Sequence, residues 1–177
     1  MSQKLDTLLS LSAMLSILTL PFTDSNHANA QGFCTHSGAY TLSGDFDGDG
    51  RSDTLCTDSQ GKKWIAYSNG GFWENVSTSW CSHPNSSIRV GDFNGDGRSD
   101  LLCHDLEGRN WIVYANVAGN FGDFRSGWTA VSALCTQEGN QWYVEDLNSD
   151  GRADIVCIDN NNGQWYRFAK PDGTFDL

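Results

Sequence analysis

The chain repeats one unit three times, and this repetition constrains its fold more than any other feature. A pattern of the form Gly-Asp-Phe-Asp/Asn-Gly-Asp-Gly-Arg-Ser-Asp, closed by a short apolar stretch and a cysteine, begins at Gly44 and Gly91, and a variant begins at Glu145. Equivalent positions lie 47 and 54 residues apart, a spacing typical of blades and solenoid units that bury their apolar faces against one another. We therefore expect a series of similar units.

The register of the repeat continues beyond this pattern. A tryptophan follows each closing cysteine by eight residues, a second aromatic residue follows it by eleven, and a turn and a phenylalanine come next. These residues are, in order, Trp64, Tyr67 and Phe72, then Trp111, Tyr114 and Phe121, then Trp165, Phe168 and Phe175. We expect the recurring tryptophans in the cores of the units, whereas the less regular ones are candidates for exposed rings that bind sugars or a protein: Trp73, Trp80, Trp128 and Trp142.

Short apolar runs separated by Gly, Asn, Asp and Ser predict strands. Residues 64–67 and 111–114 are such runs, and the part of the chain after residue 30 has no convincing helical period. We therefore predict an all-β fold of three four-stranded antiparallel units. In each unit one strand lies near the first cysteine, one leaves the acidic loop, and two surround the Trp and Phe positions.

The first thirty residues differ from the repeats. An apolar run over 8–20 follows Lys4 and is too short to cross about 30 Å of hydrocarbon. Ala28 and Ala30 lie where signal peptidase requires small residues, which predicts cleavage before Gln31. We interpret 1–30 as a secretory signal peptide, with a retained N-terminal segment as the alternative, and the mature protein as extracellular with no membrane span. The predicted repeats are 31–78, 79–130 and 131–177.

The charge of the chain restricts its partners. The formal net charge is −11 and no cluster of lysine or arginine occurs, which argues against binding to nucleic acid or to an anionic membrane surface. After residue 30 the chain has 20 acidic and 10 basic residues, and ten of the acids lie in the repeated acidic pattern. The acidity of the protein is therefore concentrated in three loops.

Each acidic loop spaces side-chain oxygens at its positions 1, 3, 5 and 9, with glycine at position 6. Alternate oxygens on a sharply turning loop converge on one point, and the backbone carbonyl of the arginine at position 7 can add a ligand. Such hard oxygen ligands suit Ca²⁺, whereas the EF-hand glutamate at position 12 is replaced by cysteine. The alternative is three Asp/Gly-rich turns without metal. The predicted ligands of three calcium ions are Asp45, Asp47, Asp49, Arg51 and Asp53; Asp92, Asn94, Asp96, Arg98 and Asp100; and Asp146, Asn148, Asp150, Arg152 and Asp154.

With these loops the chain resembles the FG-GAP/VCBS-type repeats, whose calcium loops also occur in the integrin α-subunit β-propeller. The resemblance rests on Asp-x-Asp/Asn-x-Asp-Gly-x-x-Asp followed by an apolar strand, and it covers all three units. It implies four-stranded blades with calcium in the turn between the first two strands. Because closed propellers need at least about four blades, three copies predict an open arrangement rather than a ring.

The six cysteines follow the repeat, in pairs 22 residues apart. Six cysteines allow about 15 pairings, and the periodic pattern favours one bond within each unit, although bonds between units, such as Cys56 with Cys81, would also be periodic. Oxidised cysteines agree with secretion. The predicted disulfides are Cys34–Cys56, Cys81–Cys103 and Cys135–Cys157.

Two sequons, Asn75-Val76-Ser77 and Asn85-Ser86-Ser87, flank the joint between the first two units. We predict that Asn75 and Asn85 are glycosylated if the source is a glycosylating organism.

Catalysis finds little support in the sequence. His36 and His83 are repeat equivalents, His104 stands alone, and no nucleophile elbow or phosphate loop occurs. A constellation that recurs in every unit indicates architecture, so we do not expect an enzyme.

Two functions remain. Unclosed repeats leave strand edges and apolar end faces that must be covered, which favours an extracellular structural module whose copies associate head to tail into an oligomer or fibril. The alternative is a carbohydrate-binding or adhesion module, as the resemblance to propeller lectins allows. Its partners would be glycans, matrix proteins or cell-surface proteins.

Overall fold

The computed structural model describes residues 33–125, 127–131 and 134–175, and this part of the chain contains strands but no helix. The leader predicted over 1–30 lies outside the described residues. Blade 1 comprises β1 (Tyr40–Gly44), β2 (Asp53–Thr57), β3 (Lys63–Ala66) and β4 (Phe72–Asn75). Blade 2 comprises β5 (Ser87–Gly91), β6 (Asp100–His104), β7 (Arg109–Val113) and β8 (Thr129–Val131). Blade 3 comprises β9 (Gln141–Glu145), β10 (Asp154–Ile158) and β11 (Gln164–Arg167).

Each blade is an antiparallel sheet in which strands that are neighbours in sequence pair with each other. This confirms the predicted all-β fold, and the described strands form no closed ring. The four-stranded prediction holds for blades 1 and 2, but blade 3 has three strands within the described residues. After β11 the described chain makes only an isolated bridge between Ala169 and Phe175, and Phe175 packs in the core against blade 2 as its equivalent Phe121 packs against blade 1.

The three disulfides lie within units, as predicted. Their Cα–Cα distances are 5.4, 5.7 and 5.5 Å, and each spans 22 residues. The first cysteine of each pair was expected near the first strand, and it lies in a turn six residues before that strand begins. There Cys34, Cys81 and Cys135 have left-handed φ angles of 63°, 58° and 56°. Each bond therefore ties the turn that enters a blade to its second strand.

The blades stack face on face. We call the sheet face that packs on the next blade the forward face, and the face that packs on the preceding blade the backward face. Leu101 and Leu102 are adjacent on β6 and point in opposite directions, one into each of two core clusters. All five residues of β6 are buried, as expected for a strand covered on both sides.

Each cluster joins two blades. The first contains Phe46, Leu55 and Ile65 from blade 1 and Ile88, Leu101, Val113, Ala115, Phe121 and Phe124 from blade 2. The second contains Phe93, Leu102 and Ile112 from blade 2 and Leu134, Cys135, Ile155, Cys157, Ala169 and Phe175 from blade 3. Six positions are equivalent in the two junctions, so the repeat in sequence becomes a repeat in packing: Phe46 and Phe93, Leu55 and Leu102, Ile65 and Ile112, Leu101 and Ile155, Ala115 and Ala169, and Phe121 and Phe175.

The described residues include no helix that could span a membrane.

Candidate metal centres in the acidic loops

The acidic loops connect the first two strands of each blade and lie side by side. The Ser99 amide donates to the Asp45 carbonyl over 2.6 Å, and the Ala153 amide donates to the Asp92 carbonyl over 2.7 Å. These bonds join loop 1 to loop 2 and loop 2 to loop 3. The three candidate sites therefore form a column along one edge of the stack.

Loop 1 brings three carboxylates together. One oxygen each from Asp45, Asp47 and Asp49 lies within 4.8 Å of the others. Asp49 is exposed and the other two are half-buried. The pKa of Asp47 is raised, first by desolvation and then by the charges of Asp53, Asp49 and Asp45. Such a group gains from a divalent cation because the cation offsets the repulsion among the carboxylates.

Backbone amides fix the carboxylate at position 1. In loop 1, Asp45 accepts hydrogen bonds from the amides of Gly48, Asp49 and Gly50 over 2.7, 3.1 and 2.8 Å. Asp92 accepts the same three bonds in loop 2, and Asp146 accepts bonds from the position-5 and position-6 amides in loop 3. Gly50 has φ 83°, a left-handed conformation that glycine adopts without strain. The sharp turn at position 6 was predicted from this glycine.

Loops 2 and 3 have asparagine at position 3. The Asn94 side chain donates to Asp96 Oδ2 over 3.1 Å, and Asn148 donates to Asp150 Oδ2 over 3.0 Å. These loops therefore hold two carboxylates and a carboxamide where loop 1 holds three carboxylates. The negative charge is greatest in loop 1.

The arginine at position 7 contacts the acid at position 5. Arg98 Nη2 lies 2.5 Å from Asp96 Oδ2, and Arg152 Nη2 lies 2.5 Å from Asp150 Oδ2. Arg51 is largely exposed, and its Nε lies 4.0 Å from Asp49. These side chains supply positive charge beside the acidic loops, in addition to the ligand role predicted for their backbone carbonyls.

The aspartate at position 9 is placed differently from the other predicted ligands. Asp53 is buried, and its two oxygens accept hydrogen bonds from the amides of Phe46 and Ser68 over 2.9 and 2.8 Å. Asp100 and Asp154 make the equivalent pairs of bonds. Desolvation raises the pKa of Asp100 to about 7. These carboxylates tie the acidic loop to the hairpin after the third strand.

Sequence reasoning missed two polar residues at loop 1. The Asn69 side chain donates to Asp47 Oδ2 over 3.0 Å, and the Ser68 hydroxyl donates to Asp49 Oδ2 over 3.4 Å. Both residues follow β3, far from the loop in sequence but next to it in the blade. In the sequence these two residues could have been recognised as a polar pair directly after Tyr67. The equivalent pair in blade 3 is Ala169 and Lys170.

The recurring tryptophans lie outside the two core clusters, so the expectation of core positions is wrong, and Trp64 and Trp111 are half-buried. Trp64 stacks on His36 with ring centroids 4.5 Å apart, Trp111 stacks on His83 at 4.7 Å, and Trp165 is 46% exposed. The less regular Trp73, Trp80, Trp128 and Trp142 pack half-buried against the two core clusters.

The remaining candidate residues have clear positions. His104 is buried, and its Nδ1 lies 2.8 Å from Asn110 Oδ1. Asn75 ends β4 half-buried, and its side-chain oxygen accepts a hydrogen bond from the Ser77 hydroxyl over 2.9 Å. Asn85 is exposed in a turn with φ 61°.

Antiparallel sheets stacked face on face, each with an acidic loop between its first two strands, resemble the blades of β-propellers. The family model of the FG-GAP-like repeat matches residues 45–103, which include loops 1 and 2. This match confirms the predicted resemblance over that segment.

A solved structure shares the fold. It comes from a study of how a lectin of Agrocybe aegerita specifically recognises non-reducing terminal N-acetylglucosamine. The TM-score is 0.60 at 20% sequence identity, and the likeness covers 78% of this chain and 37% of the lectin chain. This chain thus spans little more than a third of the length of that lectin. A search of the curated proteins found no match.

Proposed function

We propose that the protein is a secreted, non-catalytic structural module that binds three calcium ions and associates with further copies of itself. The observation that carries the calcium proposal is the convergence of three carboxylate oxygens within 4.8 Å in loop 1, on a backbone that recurs in loops 2 and 3. Calcium accepts six to eight oxygen ligands in flexible geometry, so two carboxylates and a carboxamide also suit it.

Calcium would strengthen the stack at its acidic edge. An ion in loop 1 would neutralise part of the charge of Asp45, Asp47 and Asp49, and the disulfide would hold the opposite end of the same two strands. Because backbone hydrogen bonds link neighbouring loops, an ion in one loop also restrains the next. Secretion is supported by the predicted leader and by three disulfides, since disulfides persist in oxidising compartments.

Calorimetric titration of the chelator-treated mature protein tests the calcium proposal. We expect close to three ions per chain. Asp96→Ala should reduce this number to two, whereas Asp172→Ala removes an exposed aspartate outside the loops and should keep three. A stoichiometry of zero or one in the unmodified protein would overturn the proposal.

A groove favours carbohydrate binding as a second candidate function. It has a volume of about 550 Å³ and is lined by Trp80, His83, Trp111, Asp123 and Arg125, among others. Aromatic rings beside the charged side chains of Asp123 and Arg125 suit a sugar, which presents an apolar face and hydroxyl groups.

Titration with N-acetylglucosamine, chosen because the structurally similar lectin recognises it, tests this second function. We expect Trp111→Ala to abolish binding and Trp165→Ala, the equivalent ring in blade 3, to leave it unchanged. Equal binding by both variants would exclude the groove.

A further inference from the structure

The two junctions between blades are built from equivalent contacts. Phe46 meets Phe121 at a ring-centroid distance of 5.6 Å, and Phe93 meets Phe175 at 5.9 Å. In each case a residue at position 2 of an acidic loop packs on a phenylalanine of the next blade, directly after the turn that follows the third strand of that blade. Position 2 in blade 3 is Leu147.

A second packing contact repeats in the same way. A Cβ on Gly119 would meet the Tyr67 ring at 3.1 Å, and a Cβ on Gly173 would meet the Tyr114 ring at 2.6 Å. The hydrogen bond at this contact does not repeat, because the Tyr67 hydroxyl donates to the Gly119 carbonyl over 2.9 Å whereas the Tyr114 hydroxyl has no partner among the described residues. The residue equivalent to these tyrosines in blade 3 is Phe168.

The two end faces of the stack, which are the forward face of blade 3 and the backward face of blade 1, expose residues equivalent to those that pair at the internal junctions. The forward face of blade 3 presents Tyr143, Leu147, Tyr166 and Phe168, which are 38%, 38%, 40% and 52% exposed. On the backward face of blade 1, Phe72 is 45% exposed and is the equivalent of Phe121 and Phe175. The exposed apolar residues at the two ends are therefore those that pair at the internal junctions.

One position distinguishes the forward face of blade 3 from the other two. A Cβ at Gly44 would lie 2.6 Å from Val90 Cγ1 and 2.8 Å from Ser99 Cβ. A Cβ at Gly91 would lie 2.6 Å from Ala153 Cβ. Both internal junctions thus exclude a side chain there, and blade 3 has Glu145 at the equivalent position, exposed.

The backward face of blade 1 differs at the positions that would meet Glu145. Ser43 stands where blades 2 and 3 have Val90 and Val144, and Ser52 is the equivalent of Ser99. Both serines are exposed, and their hydroxyl oxygens lie 2.5 Å apart. A large acidic residue on one end face thus corresponds to two small hydroxyl residues on the other.

The acidic loops add a charge match. Arg98 and Arg152 lie against the glycine at position 4 of the preceding loop, because a Cβ on Gly48 or Gly95 would meet their Cγ at 3.2 Å. Arg51 is the equivalent arginine of blade 1 and is 68% exposed. Position 4 of loop 3 is Ser149, beside acidic residues that attract a guanidinium.

We propose that the forward face of blade 3 binds the backward face of blade 1 from a second copy of the chain, with the Glu145 carboxylate accepting hydrogen bonds from the Ser43 and Ser52 hydroxyls. Leu147 then packs on Phe72 of the second copy, and Arg51 of the second copy lies beside loop 3. The contact continues the blade order across molecules. Because Glu145 and Ser149 occupy space that glycine leaves free elsewhere, this junction is wider near the acidic loops than the internal ones.

The inference rests on the proposed self-association and is independent of calcium binding. A heterologous contact of this kind leaves both end faces available and propagates into a chain of copies, or closes where the rotation permits. Its apolar part supplies affinity, and its single acidic residue supplies the register.

Sedimentation velocity on the mature protein, from micromolar to millimolar concentration, tests the contact. We expect concentration-dependent association. Leu147→Asp should weaken it at least tenfold because it places a charge in the apolar part of the junction. Val117→Asp makes the same change at an exposed residue away from both end faces and should have no effect.

A charge exchange tests the partner residues. Glu145→Lys should weaken association about tenfold through loss of a charge-assisted hydrogen bond, and Ser52→Glu should do so by placing two carboxylates together. The double variant Glu145→Lys/Ser52→Glu restores opposite charges across the junction and should recover association.

Calcium stoichiometry measured on each variant shows that it is folded and separates failure of the contact from failure of the calcium sites. A wild-type protein that is monomeric at every concentration would overturn the proposal. So would a double variant that associates no better than the single ones, because the two residues would then not face each other.

Discussion

At the scale of single residues, Lys63 lies fully buried in the junction between blades 1 and 2. Its Nζ donates to the Thr57 hydroxyl over 3.3 Å and to the carbonyls of Gly61 and Trp80 over 3.0 Å each. It also lies over the rings of Trp80 and Phe124. Burial lowers the pKa of Lys63 from 10.5 to about 7, because desolvation disfavours the charged amine.

This buried amine predicts a pH dependence of stability. The unfolded chain binds a proton on Lys63 below pH 10.5, whereas the folded chain binds it only below about 7. The free energy of unfolding should therefore rise between pH 7 and 9, by about 2 kcal/mol for this group. Urea unfolding in chelator at both pH values measures the rise.

Lys63→Met removes the titrating group and is the matched control. Its free energy of unfolding should change little over the same pH range, whatever its absolute stability. The pKa of Asp100 is raised to about 7, so its contribution to stability falls as the pH rises through 7. This fall occurs equally in both proteins, and the difference between them isolates Lys63. An equal rise in both proteins would show that Lys63 is not the source.

The buried aspartate at position 9 has a role separable from calcium. Asp100 accepts hydrogen bonds from the amides of Phe93 and Ala115 with its two oxygens. Asp100→Asn replaces one acceptor with a donor, so one buried amide loses its partner at a cost of about 1–3 kcal/mol. Thermal unfolding in chelator should show this loss, whereas Asp96→Asn in the exposed part of the loop should be nearly neutral. A neutral Asp100→Asn would contradict the structural role.

At the scale of elements, the close approach of blades depends on Gly91 at the end of β5. A Cβ there would lie 2.6 Å from Ala153 Cβ, so Gly91→Ala should destabilise the protein by about 1–3 kcal/mol through overpacking. Ala153→Gly removes the obstructing atom. The double variant should regain part of the lost stability in urea unfolding, and a double variant less stable than Gly91→Ala would show that the contact is not the cause.

Elements whose determinants are local in sequence were predictable. The glycine at position 6 and the 22-residue cysteine spacing led to the acidic turns and to the disulfides. Two features were missed because they depend on side chains that only the folded chain brings together. Phe175 fills the junction between blades 2 and 3 against Phe93, and the half-buried Trp64 stacks on His36 in the turn that enters the same blade.

The candidate site was predictable in composition but not in detail. Alternate spacing identified the loop carboxylates, and three of them converge in loop 1. The spacing alone could not show that Asp53 differs from the other loop carboxylates. Asp53 accepts a hydrogen bond from the amide of Ser68, which lies in a different hairpin. The spacing also could not identify Asn69, which reaches Asp47 only after β3 pairs with β2.

At the scale of the whole molecule, each blade is held at both ends of its first hairpin. The disulfide closes one end, and the acidic loop, with its proposed ion, closes the other. Each disulfide encloses 22 residues and contributes on the order of 3 kcal/mol in the chain-entropy model. Calcium adds binding free energy to the folded state alone, so the two restraints act on the same strands by different means.

This arrangement predicts that chelator and reductant act together. Either treatment alone leaves one end of every hairpin closed, and the blades also stabilise one another through the two core clusters. Removing both should lower the unfolding temperature by more than the sum of the two separate effects, because each restraint protects strands that the other no longer holds. Calorimetric melting of the mature protein in calcium, in chelator, in reductant and in both measures the four states, with magnesium replacing calcium as the control for ionic strength. Strictly additive shifts would show that the loop and the disulfide stabilise the blade independently.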